Sequence, residues 1–381
     1  MSHLKLTTAG ESHGKALVAI VEGLPAHLRV DTDAIGETLA LRQSGYGRGA
    51  RQKIERDSVE ILTGVRNGET LGSPVTLCIY NKDYANWEKA MSDGACDESV
   101  MRAKSLTKVR PGHADLTGVK KFAQTDARNV LERASARETA IRVAAGELFK
   151  GYLRQLGVEI GGYVKEICGV KDEGAYAFED LQRAKTTATG MLDCAKEAEA
   201  VRKIDELKAA GDTAGGVVEI RVKGLKSGFG SVMTYAEKLD ARLARGLMSI
   251  QAVKGVEVGA GFAVASKSGK EVHDEIFYDA DKGFYRETNR AGGLEGGMTN
   301  GEEIVLRVAM KPIPTLMKGL STVDYVTKER CVAASERSDV CAIFALEIIA
   351  EAVVAETLAV AVAERLGGDT MDEVKARYAL L

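Results

Sequence analysis

Residues 132–146 read Glu-Arg-Ala-Ser-Ala-Arg-Glu-Thr-Ala-Ile-Arg-Val-Ala-Ala-Gly, and the rest of the chain is best understood from this segment. Ser135 followed by Glu138 matches an S-x-x-E capping box, which predicts a helix start. Apolar residues follow at helical spacing, at Ala140, Ile141, Ala144, Ala145 and Leu148. The free N–H groups of a first helical turn favour anions, and Arg133 and Arg137 add bidentate donors. An ordinary capped helix with solvated arginines is the alternative interpretation.

The composition is that of a globular enzyme. The chain has 381 residues, of which 45% are hydrophobic and 28% charged, and its net charge of −3 argues against a general nucleic-acid binder. Six scattered cysteines without a C-x-x-C pair favour reduced thiols in the cytoplasm. The first residues lack an apolar signal core, and glutamates interrupt the apolar region 340–366 too often for a membrane span. We therefore expect a cytoplasmic protein with no membrane partner.

The pattern of predicted elements repeats along the chain. In the first half it predicts strands within 4–22 and at 54–62, 74–80 and 158–170, and helices at 32–42 and 135–156. In the second half it predicts strands at 216–222, 253–265 and 302–310, and helices at 233–249 and 340–366. We expect one α+β domain over residues 1–381, with two pseudo-repeated halves at roughly 1–170 and 211–366. A polar, mostly helical segment at 173–210 is expected to be peripheral.

Two histidines are candidates for proton transfer. His13 and His113 both lie in loops rich in glycine or arginine, where a histidine can exchange protons near neutral pH. Glu11 with His13, and His113 with Asp115, could each chelate a cation. No third ligand follows at metal-site spacing, and nearby guanidinium groups would repel a metal, so we predict no metal site. These guanidinium groups belong to Arg42, Arg48, Arg51 and Arg110.

Three clusters of basic residues occur in this acidic chain. Each adjoins a glycine-rich loop or a helix start, which favours a pocket for a polyanionic small molecule over three solvated faces. The clusters are Arg42, Arg48, Arg51 and Arg56; Arg102, Lys104, Lys108 and Arg110; and Arg128, Arg133, Arg137 and Arg142.

A further pair of charges precedes the last predicted helix. Arg337 and Asp339 lie at its start, where a carboxylate held by an arginine can act as a base or orient another group. Two other classes of function remain open at this point. One is a metal-dependent phosphatase built on His13 and His113, and the other is RNA binding through the arginine–glycine segment 45–51. No G-x-G-x-x-G or P-loop motif supports a Rossmann or P-loop nucleotide site.

Several blocks of this sequence occur together in one known family, and the chain resembles chorismate synthase over essentially its whole length. Short motifs match by chance when they occur singly, but these stand in order and at plausible spacing. The blocks are Gly10-Glu-Ser-His-Gly14 with Val21-Glu-Gly-Leu-Pro25, Arg110-Pro-Gly-His-Ala-Asp115, residues 132–146, Met248 to Gly259, Gly292-Gly-Leu-Glu-Gly-Gly297, Lys311-Pro-Ile-Pro-Thr315 and Arg337-Ser-Asp-Val-Cys341.

The resemblance implies a lyase of the shikimate pathway, on the route to the aromatic amino acids. Such an enzyme forms chorismate by anti-1,4-elimination of phosphate and a ring proton from 5-enolpyruvylshikimate 3-phosphate, using reduced FMN without net redox change. His113 is then expected to serve the departing phosphate, His13 to donate a proton to the reduced flavin, and Asp339 to help a flavin nitrogen act as base. The expected substrate-binding residues are Ser12, Arg42, Arg48, Arg51, Arg110, Arg137 and Arg337.

The resemblance also implies a flavin site, a fold and an assembly. The fold would place helices between two antiparallel sheets with duplicated topology, and the chain would form a homotetramer. NADPH would act only indirectly, and an external flavin reductase is a possible partner. The expected FMN-binding residues are Arg42, Arg48, Arg133, Ala134, Ser135, Gln251, Ala252, Gly296, Lys311, Pro312, Ile313, Pro314, Thr315 and Arg337.

Overall fold

A computed structural model describes residues 4–49, 56–281, 283–334 and 338–381. Its strands, numbered in chain order, are β1 (Lys5–Gly10), β2 (Ala16–Glu22), β3 (Glu60–Thr63), β4 (Val65–Arg66), β5 (Glu69–Thr70), β6 (Val75–Tyr80), β7 (Glu159–Ile167), β8 (Val170–Lys171), β9 (Gly216–Lys223), β10 (Val253–Val258), β11 (Ile276–Asp279), β12 (Gly283–Arg286), β13 (Leu294–Glu295), β14 (Met298–Thr299), β15 (Ile304–Met310), β16 (Ser321–Val323) and β17 (Arg330–Val332).

The α-helices are numbered in the same way. They are α1 (Thr32–Gln43), α2 (Glu98–Lys104), α3 (Asp115–Lys121), α4 (Arg128–Ala134), α5 (Thr139–Arg154), α6 (Cys194–Ala210), α7 (Leu239–Met248), α8 (Gly269–Val272), α9 (Ile343–Leu366) and α10 (Met371–Ala379). Short 3-10 helices lie at Lys82–Asn86, Ala136–Glu138, Phe178–Thr186, Tyr235–Glu237 and Gly261–Ser266.

Two antiparallel sheets enclose the long helices. The first sheet has the order β1-β2-β6-β3, and the second has the order β10-β15-β9-β7-β8. In β2, Leu17, Ala19 and Val21 are buried in strict alternation, as expected for a strand with one face on a core. Helix α5 packs on the first sheet and α9 on the second. The expected α+β fold with helices between two antiparallel sheets is confirmed.

The two central helices approach each other closely. A Cβ atom built on Gly146 in α5 would lie 2.3 Å from the Cβ of Ala352 in α9, so a larger residue at 146 would force the helices apart. The small residues of α9 permit this contact, and nearly every turn of that helix contributes buried side chains to one continuous apolar core. The segment 139–154 therefore lies at the centre of the molecule.

The two halves share one topology. Taking the four main strands of each sheet in chain order, both sheets have the spatial order 1-2-4-3, and a helix stands between strands 2 and 3 in each. In both sheets the pairing of strand 3 with strand 4 contains a register shift, at Ile61/Thr63 and at Val253/Gly255. The predicted duplication is thus visible in the backbone. Strand β7 belongs to the second sheet, although the sequence placed residues 158–170 in the first half.

Some predicted boundaries were wrong. The predicted strand 253–265 ends at Val258, because Gly259 and Gly261 adopt positive φ angles of 57° and 55° and begin a 3-10 turn. The predicted helix 233–249 begins only at Leu239, after an irregular segment. The predicted strand 54–62 starts at Glu60, and residues 54 and 55 lie outside the described residues. The last long helix ends before Gly367, as predicted.

Candidate functional site

His13 is held by the buried carboxylate of Glu132, which belongs to helix α4. It lies between β1 and β2, and its main-chain N–H donates to Glu132 Oε2 at 2.8 Å, while its Nδ1 lies 3.0 Å from both carboxylate oxygens. Burial would raise the pKa of Glu132, but hydrogen bonds from His13 and the charge of Arg128 hold that pKa below its usual value. An ionised acceptor at Nδ1 places a proton there and leaves Nε2 as the nitrogen available to a ligand.

The segment 132–139 does not form the predicted capping box. Ser135 does cap a helix start, because it is extended and accepts from the N–H of Arg137 at 3.3 Å at the beginning of the 3-10 helix Ala136–Glu138, and helix α5 follows from Thr139. Glu138 does not return to Ser135, because its carboxylate accepts from the Thr8 hydroxyl at 2.7 Å. A tertiary contact thus replaces the local one. The break between α4 and α5 brings the Ser135 hydroxyl within 3.3 Å of the Ser12 hydroxyl.

Two of the arginines predicted to bind substrate lie at this break. Arg137 lies 2.7 Å from the carboxylate of Asp57 and donates from Nε to Asn81 Oδ1 at 3.0 Å. Arg42 donates to Thr139 Oγ1 and to the Ala136 carbonyl, and its NH1 lies 3.9 Å from the same Asp57. Burial, followed by the repulsion of Arg48, lowers the pKa of Arg42 to about 9.

Asp339 joins this cluster from the start of the last long helix. Its Oδ2 lies 3.0 Å from Arg48 NH1, and its Oδ1 accepts from the N–H of Gly49 at 2.6 Å. Both oxygens are therefore fixed in direction, as expected of a carboxylate that orients another group. Arg51 and Arg337, predicted to bind substrate, lie outside the described residues.

His113 forms a second histidine–carboxylate pair. Its Nδ1 lies 2.5 Å from Asp115 Oδ1, and Arg110 donates to both oxygens of the same carboxylate, at 2.8 and 3.0 Å. Asp115 is fully buried, which would raise its pKa, but the hydrogen bonds from His113 and Arg110 hold the pKa of Asp115 well below its usual range. Arg110 also donates from NH1 to Thr315 at 3.2 Å, which ties this loop to the segment 311–315.

The segment 311–315 connects the two histidine groups. Lys311 Nζ donates to the carbonyl of Gly112 at 2.5 Å, and its main-chain N–H donates to the carbonyl of Ala252 at 3.0 Å. Ala252 has a positive φ of 68°, a strained conformation for a residue with a side chain. The preceding Gln251 donates to Glu138 at 3.4 Å and so reaches the segment 132–139. Burial and the nearby Lys254 lower the pKa of Lys311.

Other predicted flavin residues are less closely connected. Arg133 at the end of α4 is about half exposed and donates to the carbonyls of Thr8 and Gly10 at 3.2 Å, and Ala134 is the last residue of the same helix. Gly296 lies in the turn between β13 and β14, where Val232 is its nearest neighbour. Within the described ranges, the contacts above do not connect Gly296 with the segment 311–315.

Unsatisfied polar atoms mark where a ligand would bind. Among the described residues, Gln251 Oε1 and Arg48 Nε are buried and have no hydrogen-bond partner within the chain. An unpaired buried donor or acceptor costs about 1–3 kcal/mol, so each of these atoms favours a polar ligand beside it. A flavin ring presents donors and acceptors along one edge, and its phosphate suits Lys311. The residues present therefore fit the predicted cofactor.

Sequence reasoning missed several partners of the predicted residues. Glu132 lies within the opening segment but was not assigned a role, although an acid four residues after Arg128 could have suggested a pair. Asp57, Asn81 and Trp87 carry no local motif, and only the fold brings them to the site. Trp87 stacks on His13 with ring centroids 4.1 Å apart.

The described residues offer neither a metal site nor a membrane-spanning helix. No group of three or more histidine, cysteine, aspartate or glutamate side chains in the described ranges could hold a metal ion. In the same part of the chain, no helix combines the length and the apolar character that a membrane crossing requires.

Comparisons with known proteins agree on one family. The family model described as chorismate synthase matches residues 4–363. A chorismate synthase of Geobacter sulfurreducens is 52% identical over 98% of this chain and 97% of its own length, and one of Syntrophotalea carbinolica is 52% identical with the same coverage. A solved structure titled as a crystal structure of chorismate synthase superposes with a TM-score of 0.79 at 39% identity, covering 99% of this chain and 96% of the other.

Proposed function

Because this chain belongs to the chorismate synthase family, we propose that it converts 5-enolpyruvylshikimate 3-phosphate to chorismate by anti-1,4-elimination with reduced FMN. The observation that carries this proposal is a cluster of guanidinium groups in a chain that also holds each of two histidines on a carboxylate. A substrate with one phosphate and two carboxylates supplies the negative charge that this site lacks.

The binding of substrate anions rests on the charges around Arg42. Among the described charges that act most strongly on Arg42, two are the cations Arg48 and Arg137 and two are the anions Asp57 and Asp339. The arginines repel one another, and a bound anion would reduce that repulsion. Because the arginines are already in position, little free energy is needed to arrange them when the anion binds. The orphan Nε of Arg48 supplies one unused donor for that anion.

The contacts of the two histidines favour a division of roles opposite to the one implied by the resemblance. His113 shares its loop with Gly112 and Arg110, which contact Lys311 and Thr315 of the candidate flavin segment. We therefore assign His113 to the cofactor. Asn81 contacts the loop that carries His13 and also contacts Arg137 of the arginine cluster, and we assign Nε2 of His13 to the departing phosphate. The phosphate leaves with the electron pair of the C–O bond, and His13 donates a proton or a hydrogen bond to it.

Asp339 completes the catalytic set. Arg48 and Gly49 fix the direction of both its oxygens, so it can orient the group that takes the ring proton. A reduced flavin held here would supply electron density and a basic ring nitrogen, and Asp339 would orient that nitrogen towards the ring proton. The described residues that would hold the flavin are Arg42, Arg48, Arg133, Ala134, Ser135, Gln251, Ala252, Gly296 and Lys311 to Thr315.

The oligomeric state and the source of reduced FMN are further parts of the proposed function. We propose a homotetramer in the cytoplasm, supplied with reduced FMN by an external flavin reductase, so that NADPH acts only indirectly. Exposed apolar side chains at Phe262, Tyr278 and Phe284 support contacts between subunits. The sequence lacks a dinucleotide fingerprint, which favours an external reductase. Sedimentation of the purified protein measures the assembly, and a monomer would contradict it.

The two competing classes of function are not supported. Arg110 contacts both His113 and Asp115, so it occupies the place where a phosphatase metal would be needed. The segment 45–49 is used within the fold, since a Cβ on Gly47 would lie 2.9 Å from Cys341 and the Tyr46 hydroxyl donates to Asp205 at 2.9 Å. That glycine pattern therefore serves packing of the chain, while Arg51 lies outside the described residues.

An anaerobic assay tests the proposed reaction. The protein is mixed with 5-enolpyruvylshikimate 3-phosphate and chemically reduced FMN, and chorismate absorbance and phosphate release are followed together. Equal amounts of both products, with none when FMN is oxidised, support the proposal. Phosphate without chorismate contradicts it. Replacing reduced FMN by NADPH with oxidised FMN then identifies the source of electrons.

The division of roles has its own spectroscopic test. His113→Asn is expected to change the absorbance spectrum of bound reduced FMN, whereas His13→Asn leaves that spectrum unchanged, and both variants lose turnover. The opposite pattern would restore the roles implied by the resemblance.

A further inference from the structure

The only tryptophan of the chain lies against the site. Trp87 follows the 3-10 turn Lys82–Asn86 and stacks on His13, with a centroid distance of 4.1 Å and an interplanar angle of 27°. Its indole N–H donates to Asp83 at 3.1 Å, which fixes the direction of the ring. The His13 imidazole is therefore restrained on one edge by Glu132 and on one face by an anchored aromatic ring.

Two permanent cations contact the same indole. Lys104 Nζ lies 4.1 Å and Arg128 Cζ lies 4.9 Å from the ring centroid of Trp87. Such distances are typical of cation–π contacts, which contribute about 0.5–1 kcal/mol at exposed sites and more when desolvated. Arg128 also donates to Glu132 at 3.1 Å. The indole and the carboxylate that hold His13 are thus held by one common arginine.

We propose that Trp87 is a positioning residue for His13, which it holds so that Nε2 points at the phosphate of the substrate. A hydrogen bond at Nδ1 alone allows the imidazole plane to tilt about that bond, whereas a stacked ring fixes the plane. Together the two contacts determine the direction of Nε2. The inference rests on the function proposed above for His13, and it adds a residue without any motif of its own.

A second restraint on the His13 ring is needed because the ring and its carboxylate partner come from different elements of the fold. Glu132 comes from α4 and His13 from the loop between β1 and β2, so neither element by itself determines the imidazole plane. A misplacement of about 1 Å in a catalytic group can lower a rate about 100-fold. The segment from Lys82 to Lys104 provides the missing restraint from a third direction.

Steady-state kinetics on three variants test the role of Trp87. For Trp87→Ala we expect kcat to fall about tenfold or more while KM for the substrate stays within about twofold. Trp87→Phe preserves a stacking ring and is expected to restore kcat to within about threefold of the wild type. Glu88→Ala, an exposed neighbour, is the matched control and is expected to keep wild-type kcat. A wild-type kcat for Trp87→Ala, or a rise in KM alone, overturns the proposal.

Fluorescence provides a second test that does not depend on turnover. Because Trp87 is the sole tryptophan, its emission reports the ring that is stacked on it. We expect the intensity of that emission at fixed pH to change in His13→Asn and to stay as in the wild type in His113→Asn. An emission that is unchanged in His13→Asn overturns the proposal. If chorismate is not formed by the wild type, the proposed reaction fails while this contact remains measurable.

Discussion

Two clusters of buried charge lie near the two ends of α5, and they differ in their numbers of positive and negative groups. The arginine cluster, formed by Arg42, Arg48, Arg137, Asp57 and Asp339, has more cations than anions. The lysine–glutamate cluster, formed by Lys150, Lys185, Glu347 and Glu351, has equal numbers of groups that can carry each sign. An unbalanced cluster is suited to binding an anion, whereas a balanced one is suited to holding helices together.

The lysine–glutamate cluster joins three parts of the fold. Lys185 comes from the 3-10 helix Phe178–Thr186 and contacts both Glu347 and Glu351 of α9, and Lys150 of α5 lies 2.6 Å from Glu351. The segment 173–210 was predicted to be peripheral, but Lys185 anchors it to the central helix. Pairing of buried charges explains why two glutamates are tolerated at the centre of an otherwise apolar helix.

The largest predicted effect is a loss of stability when the lysine–glutamate cluster loses a lysine. Lys185→Met leaves the buried Glu347 without its lysine partner and Glu351 with Lys150 alone, and we expect it to lower the free energy of unfolding by about 3–5 kcal/mol. Urea denaturation measures this value, and turnover per folded molecule should stay within about twofold of the wild type. Lys196→Met is the matched control, because Lys196 pairs with Glu199 on the surface and should cost under about 1 kcal/mol. A similar loss in both variants would remove the distinction between buried and exposed pairs.

The next largest effect is a loss of turnover when the arginine cluster loses Arg137. Arg137→Met removes a buried guanidinium beside the expected substrate anions, and we expect kcat/KM to fall about 100-fold or more. Arg137→Lys keeps the charge but not the fork of donors and should retain part of the activity. Arg102→Met, with an exposed side chain, is the control. Unchanged kcat/KM in Arg137→Met would show that this cluster serves structure as the other does.

The third effect is the dependence of protein stability on pH, which we expect to arise from Glu347 of the lysine–glutamate cluster. Burial and the neighbouring Glu351 raise the pKa of Glu347 to about 8. Between about pH 4.5 and 8 the folded state keeps a proton that the unfolded state has lost, so stability falls as the pH rises through this window. Glu347→Gln removes that dependence and should stabilise the protein at pH 8 by about 1–2 kcal/mol. Thermal unfolding at pH 5.5 and pH 8 measures it, and an unchanged pH slope contradicts it.

The smallest effect is the stabilisation of the protein by inorganic phosphate, used as a probe of the arginine cluster. If the arginine cluster binds an anion, phosphate at about ten times its Kd should stabilise the wild type by about 1.4 kcal/mol and raise Tm by about 2 °C. Lys185→Met should keep this increment, and Arg137→Met should lose most of it. An equal increment in both variants would place the anion elsewhere.

Local patterns in the sequence were sufficient for much of the fold. Alternation along β2, the small apolar residues of α9 and the glycines after it predicted elements that the structure contains. The capping box at Ser135 and Glu138 failed because Thr8, distant in sequence, offers Glu138 a competing hydrogen bond. The strand at 158–170 was assigned to the wrong half because its partner, β9, is not adjacent in sequence.

The sequence by itself determined which side chains could carry chemistry, namely the two loop histidines, the arginines around 42 and 137, and Asp339. Only the tertiary structure decided their partners, because Glu132 reaches His13, and Asp57 reaches Arg137, across long separations in the chain. A local pattern records residue type and spacing along one element. Whether a buried charge meets one partner, two or none depends on how separate elements pack, and that balance distinguishes a binding cluster from a structural one.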